Sequence, residues 1–94
     1  MSDAPPVVMY GRAGCGYCRR ARELLARKNV PYTEIDVEHV EGARDEMQQR
    51  SGRNTVPQIF VGSRHLGGFD DINALDAAGE LDRILAGEDA TAES

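Results

Sequence analysis

Cys15-Gly16-Tyr17-Cys18 holds the chain's two cysteines three residues apart. On a helix this spacing brings both sulfurs within one turn, close enough to join as a disulfide with little backbone movement. The segment follows an apolar run, Val7-Val8-Met9-Tyr10, that Gly11 ends. It opens a stretch in which Cys18, Ala21, Leu24 and Leu25 recur at helical spacing. Cys15 is therefore expected at a helix N-terminus, where unpaired N–H groups and the positive dipole end favour a thiolate. An unperturbed thiol of pKa about 8.5 is only ~3% ionised at pH 7, and each unit of lowering takes about 1.4 kcal/mol of preferential stabilisation of the anion. A helix end supplies ~0.3–1 kcal/mol and at most about 2. The rest must come from hydrogen bonds to sulfur and from nearby cations, for which Arg12, Arg19 and Arg20 are the candidates. Cys18, one turn further in, is expected to be the less exposed thiol with the higher pKa.

Other uses of a Cys-x-x-Cys pair fit less well. There is no second pair to complete a zinc site, and His39 and His65 are isolated, as surface histidines would be. Two cysteines are too few for a secreted disulfide scaffold. Neither a basic-then-apolar leader nor a stretch of roughly 20 apolar residues occurs, so the chain is expected to act in the cytoplasm with no membrane partner. A net charge of −5 argues against nucleic acid as a partner. The charge is uneven, however. Residues 1–30 carry six Arg or Lys against two acids, while residues 31–94 carry five against fourteen, so the positive part surrounds both cysteines.

The elements that must position this pair can be read from periodicity. After the strand at Val7–Tyr10, a helix from Cys15 to Lys28 ends with Asn29 as cap and Pro31 as stop. Tyr32 to Val37 alternates as a second strand. Val40, Ala43 and Met47 mark one face of a second helix closed by Ser51-Gly52. Pro57–Val61 reads as a third strand, Gly62-Ser63 as a tight turn, and Arg64–Leu66 as a fourth strand broken by Gly67-Gly68. Asp70 is a candidate N-cap for a helix carrying Ile72, Leu75 and Ala78, with a last turn or two at Leu81, Ile84 and Leu85. The order β-α-β-α-β-β-α predicts an α/β domain: a four-stranded mixed β-sheet flanked by α-helices. It should span residues 7–86, between a flexible N-terminus at 1–6 and a flexible acidic tail at 87–94.

Cys15-Gly16-Tyr17-Cys18, Thr55-Val56-Pro57 and Gly67-Gly68-Phe69-Asp70-Asp71, in this order and at these separations, resemble a glutaredoxin of the dithiol class. The likeness runs from about Val7 to Leu85 and implies a thioredoxin-like fold. It also implies a cis peptide at Pro57, with the Val56 backbone pairing with the cysteinyl part of glutathione, beside Thr55. Gly67-Gly68 would let the ligand approach closely. The N–H groups of Phe69, Asp70 and Asp71 would receive the γ-glutamyl carboxylate, and an Asp side chain, Asp71 before Asp70, its ammonium. Arg12, where the family usually has lysine, would bind the glycyl carboxylate, and Tyr17 would flank the glutathione sulfur. Gly16 replaces the more usual proline between the cysteines.

The resemblance implies a monomeric enzyme that reduces glutathione-mixed and protein disulfides, Cys15 attacking and Cys18 resolving, with glutathione as co-substrate. Glutathionylated or disulfide-bearing proteins would be its partners. Two rivals share some of these features. Some family members lacking the proline bridge a 2Fe–2S cluster between two chains through the first cysteine and bound glutathione. A thioredoxin-like electron donor would instead carry tryptophan before its first cysteine, where Gly14 stands here.

Overall fold

The unbroken apolar run at the start of the chain forms a strand because both faces of the sheet are covered. In the computed structural model, which describes residues 4–87, β1 (Val7–Gly11) lies inside a four-stranded sheet of order β2-β1-β3-β4. It pairs in parallel with β2 (Thr33–Asp36) and antiparallel with β3 (Gln58–Val61), which pairs antiparallel with β4 (Arg64–Gly67). The helices are α1 (Gly16–Arg27), α2 (Ala43–Ser51), α3 (Phe69–Ala77) and a short α4 (Leu81–Leu85).

Alternation along the central strands sends side chains into two separate cores. Val7, Met9, Ile59 and Val61 pack with Ala21, Leu24 and Leu25 of α1, Ile72 of α3, and Leu81, Ile84 and Leu85 of α4. On the opposite face Tyr10 and Phe60 pack with Ala43 and Met47 of α2 and with Val37. The Tyr10 and Phe60 rings meet edge to face at 5.7 Å, and Arg50 of α2 closes over Phe60 at 4.2 Å while donating to the Tyr10 hydroxyl at 2.8 Å.

The ends of α1 explain its register. Cys15 is the N-cap, with Lys28 as C-cap and Asn29 one residue beyond it at φ 56°. That left-handed position is one asparagine tolerates. Val40 departs from the expected pattern: it is 49% exposed and precedes α2. The Asp36 carboxylate accepts the Glu38 and His39 amides and bonds the His39 ring, coiling residues 36–40 into a turn. The helix therefore starts only after Gly42, at φ 82°.

Asp70 is not the cap of α3 either. Gly68 is the N-cap, and the Asp71 carboxylate reaches back to accept its N–H at 2.9 Å. Gly67, expected to break the ladder, is the last residue of β4. At the leading end, the Gly62 N–H donates to the Pro6 carbonyl at 2.8 Å. Residues 1–3 and 88–94 of the two expected flexible segments lie outside the described residues.

Candidate active site

The C-terminal end of β1 and the N-terminus of α1 meet at Arg12-Ala13-Gly14, a loop turned by Gly14 at φ 75°. A side-chain clamp holds that loop. Arg22 of α1 grips Glu34 of β2 through two bonds of 2.7 and 2.8 Å, and donates to the Arg12 carbonyl at 3.2 Å. Cys15 then sits partly exposed as the first residue of the helix start, and its sulfur accepts the Cys18 amide N–H at 3.2 Å. Its thiol also points at the Val56 carbonyl oxygen, 3.9 Å away, a long contact even for sulfur.

Cys18 is fully buried. Burial, reinforced by the neighbouring Cys15, pushes its thiol up to about 11. The two cysteines thus differ as the spacing predicts: one at the surface, one sealed beneath it and held protonated. Gly11 makes room for the second, since a Cβ there would stand 3.3 Å from Cys18 Sγ and 3.2 Å from Glu34 Oε2.

The Val56–Pro57 peptide is cis. Together with Tyr17, Thr55, Gly68, Phe69, Asp70 and Asp71 these residues line a cleft of about 350 Å³ that ends at the start of α3. An adjoining cleft of about 510 Å³ contains Cys15, Arg12, Gly14, Gly16 and Arg44, and shares Tyr17, Thr55 and Val56 with the first. Cys15, Arg12, Tyr17, Thr55, Val56, Pro57, Gly68, Phe69, Asp70 and Asp71, all singled out from the sequence, therefore line one of these two clefts, whereas Cys18 lies beneath Cys15 and Gly67, Arg19 and Arg20 line neither. Tyr17 is 54% exposed and stacks on Phe69 at 6.3 Å, forming one wall.

The structure also revises the roles of some neighbours. Of the three arginines considered near Cys15, Arg12 lines its cleft, Arg19 pairs with Glu23 at 3.4 Å, and Arg20 lies over the Tyr17 ring. The two glycines before α3 make room for the protein itself. A Cβ on Gly67, at φ 115°, would fall 2.7 Å from Asp71 Cγ, and one on Gly68 would lie 3.2 Å from the Pro57 carbonyl. His39 is exposed as expected, but His65 is not a plain surface residue: its Nε2 lies 2.7 Å from the Gln58 amide oxygen.

Arg44, Arg53, Asn54 and Gln58 line the clefts without having been singled out. Arg53 donates to Asp71 at 3.0 Å. The Gly68 N–H first, and Arg53 second, hold the Asp71 carboxyl below the usual carboxylate range. Arg53 and Asn54 directly precede Thr55, and that adjacency was the available signal. Arg44 had none, because only the packing of α2 on the sheet carries it to Cys15.

A family model described as Glutaredoxin matches residues 7–66. The chain belongs to the glutaredoxin family. A glutaredoxin of Pseudomonas aeruginosa is 48% identical over 82 residues, covering 87% of this chain and 98% of the relative. The solution structure of glutaredoxin from Brucella melitensis is 52% identical, with a TM-score of 0.80 and coverage of 90% of this chain and 92% of that one. A buckwheat glutaredoxin–glutathione complex superposes with a TM-score of 0.81 at 28% identity, covering 89% and 81%. This glutaredoxin is accordingly a thiol–disulfide oxidoreductase with a thioredoxin-like fold. Among its described residues no helix is long and apolar enough to cross a membrane.

Proposed function

We propose that this glutaredoxin reduces glutathione-mixed disulfides and protein disulfides with glutathione as co-substrate, Cys15 acting as nucleophile and Cys18 as resolving thiol. The observation that carries the reading is the pair of adjoining clefts, sharing Tyr17, Thr55 and Val56, that lead from Cys15 along Val56–Pro57 to the start of α3. An extended tripeptide-like ligand with its sulfur at Cys15 would lay its backbone along Val56. Its γ-glutamyl carboxylate would reach the N–H groups of Phe69, Asp70 and Asp71, which as the first of a helix lack intrahelical partners. The Asp71 carboxylate would face its ammonium, and Arg12 its glycyl carboxylate. The buckwheat relative's complex with glutathione lends support to this placement.

In the proposed reaction the Cys15 thiolate attacks the glutathione sulfur of a mixed disulfide. A Cys15–glutathione bond forms, the old S–S bond breaks, and the protein thiolate leaves and takes a proton. A glutathione thiolate then attacks the bound glutathione sulfur, giving oxidised glutathione and restoring the Cys15 thiolate. With a protein disulfide, Cys15 forms the mixed disulfide and Cys18, once deprotonated, displaces the substrate and closes a Cys15–Cys18 bond. The test is glutathione-dependent reduction of a glutathionylated peptide. Cys15→Ser should be inactive and Cys18→Ser active; an active Cys15→Ser would overturn the assignment.

A second reading is a 2Fe–2S cluster bridged between two chains. In its favour, Cys15 is partly exposed and a Cβ on Gly16, the residue after it, would meet nothing within 4 Å. Among the described residues no three or more His, Cys, Asp or Glu gather to hold a metal ion. One chain would thus give Cys15 alone, with bound glutathione and a second copy supplying the other ligands. Anaerobic reconstitution with glutathione should then yield a coloured dimer, and a colourless monomer would remove this reading.

A further inference from the structure

Among the described residues Gln58 is the only polar or charged one that is buried, at 1% exposure. It begins β3 directly after Pro57, and its side chain bridges two partners. The amide nitrogen donates to the Thr55 carbonyl at 3.0 Å and to Thr55 Oγ1 at 3.2 Å, while the amide oxygen lies 2.7 Å from His65 Nε2 on β4. The orientation is forced by chemistry. A carbonyl oxygen only accepts, so the end on Thr55 must be the nitrogen, and the oxygen must face His65. His65 then has to carry a proton on Nε2, which the neutral imidazole provides as one tautomer. Its ring is itself held, 4.9 Å from that of Phe60.

The chain being held needs such support. Arg53, Asn54 and Thr55 lie exposed between α2 and β3, beyond the reach of the sheet ladder. Yet Val56, next in line, presents the carbonyl toward which the Cys15 thiol points. A buried amide has to satisfy both its donor and its acceptor ends, and here doing so ties an exposed wall of the cleft to β3 and, through His65, to the edge strand β4.

We propose that Gln58 and His65 are positioning residues for the glutathione cleft: His65 orients Gln58, and Gln58 fixes Thr55 and so the Val56 backbone beside Cys15. This rests on the glutathione reading of the cleft. The role is one of geometry: Gln58 borders the cleft, but its amide is engaged with Thr55 and His65.

The test compares His65→Leu, His65→Gln and Gln58→Leu with the wild type. The readouts are steady-state kinetics on a glutathionylated peptide and 15N relaxation of the Thr55 and Val56 amides in the ligand-free protein. His65→Leu should raise KM about fivefold, the effect of one lost hydrogen bond of ordinary net strength, with kcat changing less than twofold and both amides becoming more mobile. His65→Gln, which again offers an N–H to Gln58, should restore both readouts, and Gln58→Leu should exceed His65→Leu in the same direction. Wild-type KM and relaxation in His65→Leu would overturn the proposal. So would equal losses in every variant, Gln included, since those mark a general structural role. If the wild type ignores the glutathionylated peptide, the glutathione reading fails, and the relaxation data still decide whether the tie exists.

Discussion

Cys18 should be almost inert toward electrophiles at neutral pH, and the size of the effect follows from its burial. A thiol pushed up to about 11 is ionised to only ~1 part in 10,000 at pH 7, against ~3% for an unperturbed one. Because the thiolate is the nucleophile, alkylation should be slowed about 300-fold from ionisation alone, and full burial slows it further. The assay uses Cys15→Ser, which leaves Cys18 as the only thiol, with circular dichroism confirming the fold. This variant removes the contribution of Cys15 to the shift, but burial, the largest cause, remains. Iodoacetamide labelling followed by mass spectrometry from pH 7 to 11 should show a rate rising about tenfold per unit, with no plateau below about pH 10. Labelling at pH 7 within tenfold of a free cysteine peptide, or a plateau near pH 8.5, would refute the claim that burial holds this proton.

Other perturbations reach the frame of the site. Cys18 keeps its proton more tightly when folded, so its stabilising contribution is complete below about pH 8.5 and lost as pH rises toward its folded value. Urea unfolding should therefore weaken by up to ~1.4 kcal/mol per unit across that window relative to Cys18→Ala, and parallel slopes would contradict this. Asp71 behaves with the opposite sign. Its lowered carboxyl supports the start of α3 above the ordinary carboxylate range and loses that effect as pH falls through its folded value, which the Gly68 amide signal in an NMR titration should follow; Asp71→Asn should abolish the transition. Gly67→Ala forces a Cβ against Asp71 at φ 115° and should cost about 1–3 kcal/mol in urea unfolding. Adding Asp71→Ala should recover part of that loss, and strict additivity would show that the clash is not the cause. Arg22→Ala breaks a partly exposed bidentate pair and frees the Arg12 carbonyl, with an expected loss of about 1 kcal/mol; an unchanged melting temperature would dismiss the clamp.

The local chemistry of the chain was sufficient for much of this site. Two thiols one helical turn apart, after an apolar strand and before a helix-spaced run, carry their own geometry, because helix periodicity and capping act over a few residues. The order of strands and helices was legible for the same reason, and so was the contrast between an exposed first cysteine and a buried second one. Boundaries were less so. Val40 has the right spacing for α2 but falls outside it, since a side chain from β2, Asp36, coils the intervening turn. Gly68 caps α3 in place of Asp70 because Asp71 reaches back, and that choice depends on Gly67 lying at a backbone angle only glycine adopts easily.

Contacts between distant segments belonged to the tertiary structure alone. Arg44 reaches the cleft of Cys15 only because α2 packs on the sheet face that presents Tyr10 and Phe60. Gln58 had no reading of its own within the Pro57–Val61 strand and His65 read as a surface histidine, and the two become partners when β3 and β4 pair. Which arginine lines the cleft, and which are spent on Glu23 or Tyr17, likewise had no local signature. Short-range propensities write themselves into neighbouring residues, whereas a buried hydrogen bond between strands is decided by the register in which the sheet assembles.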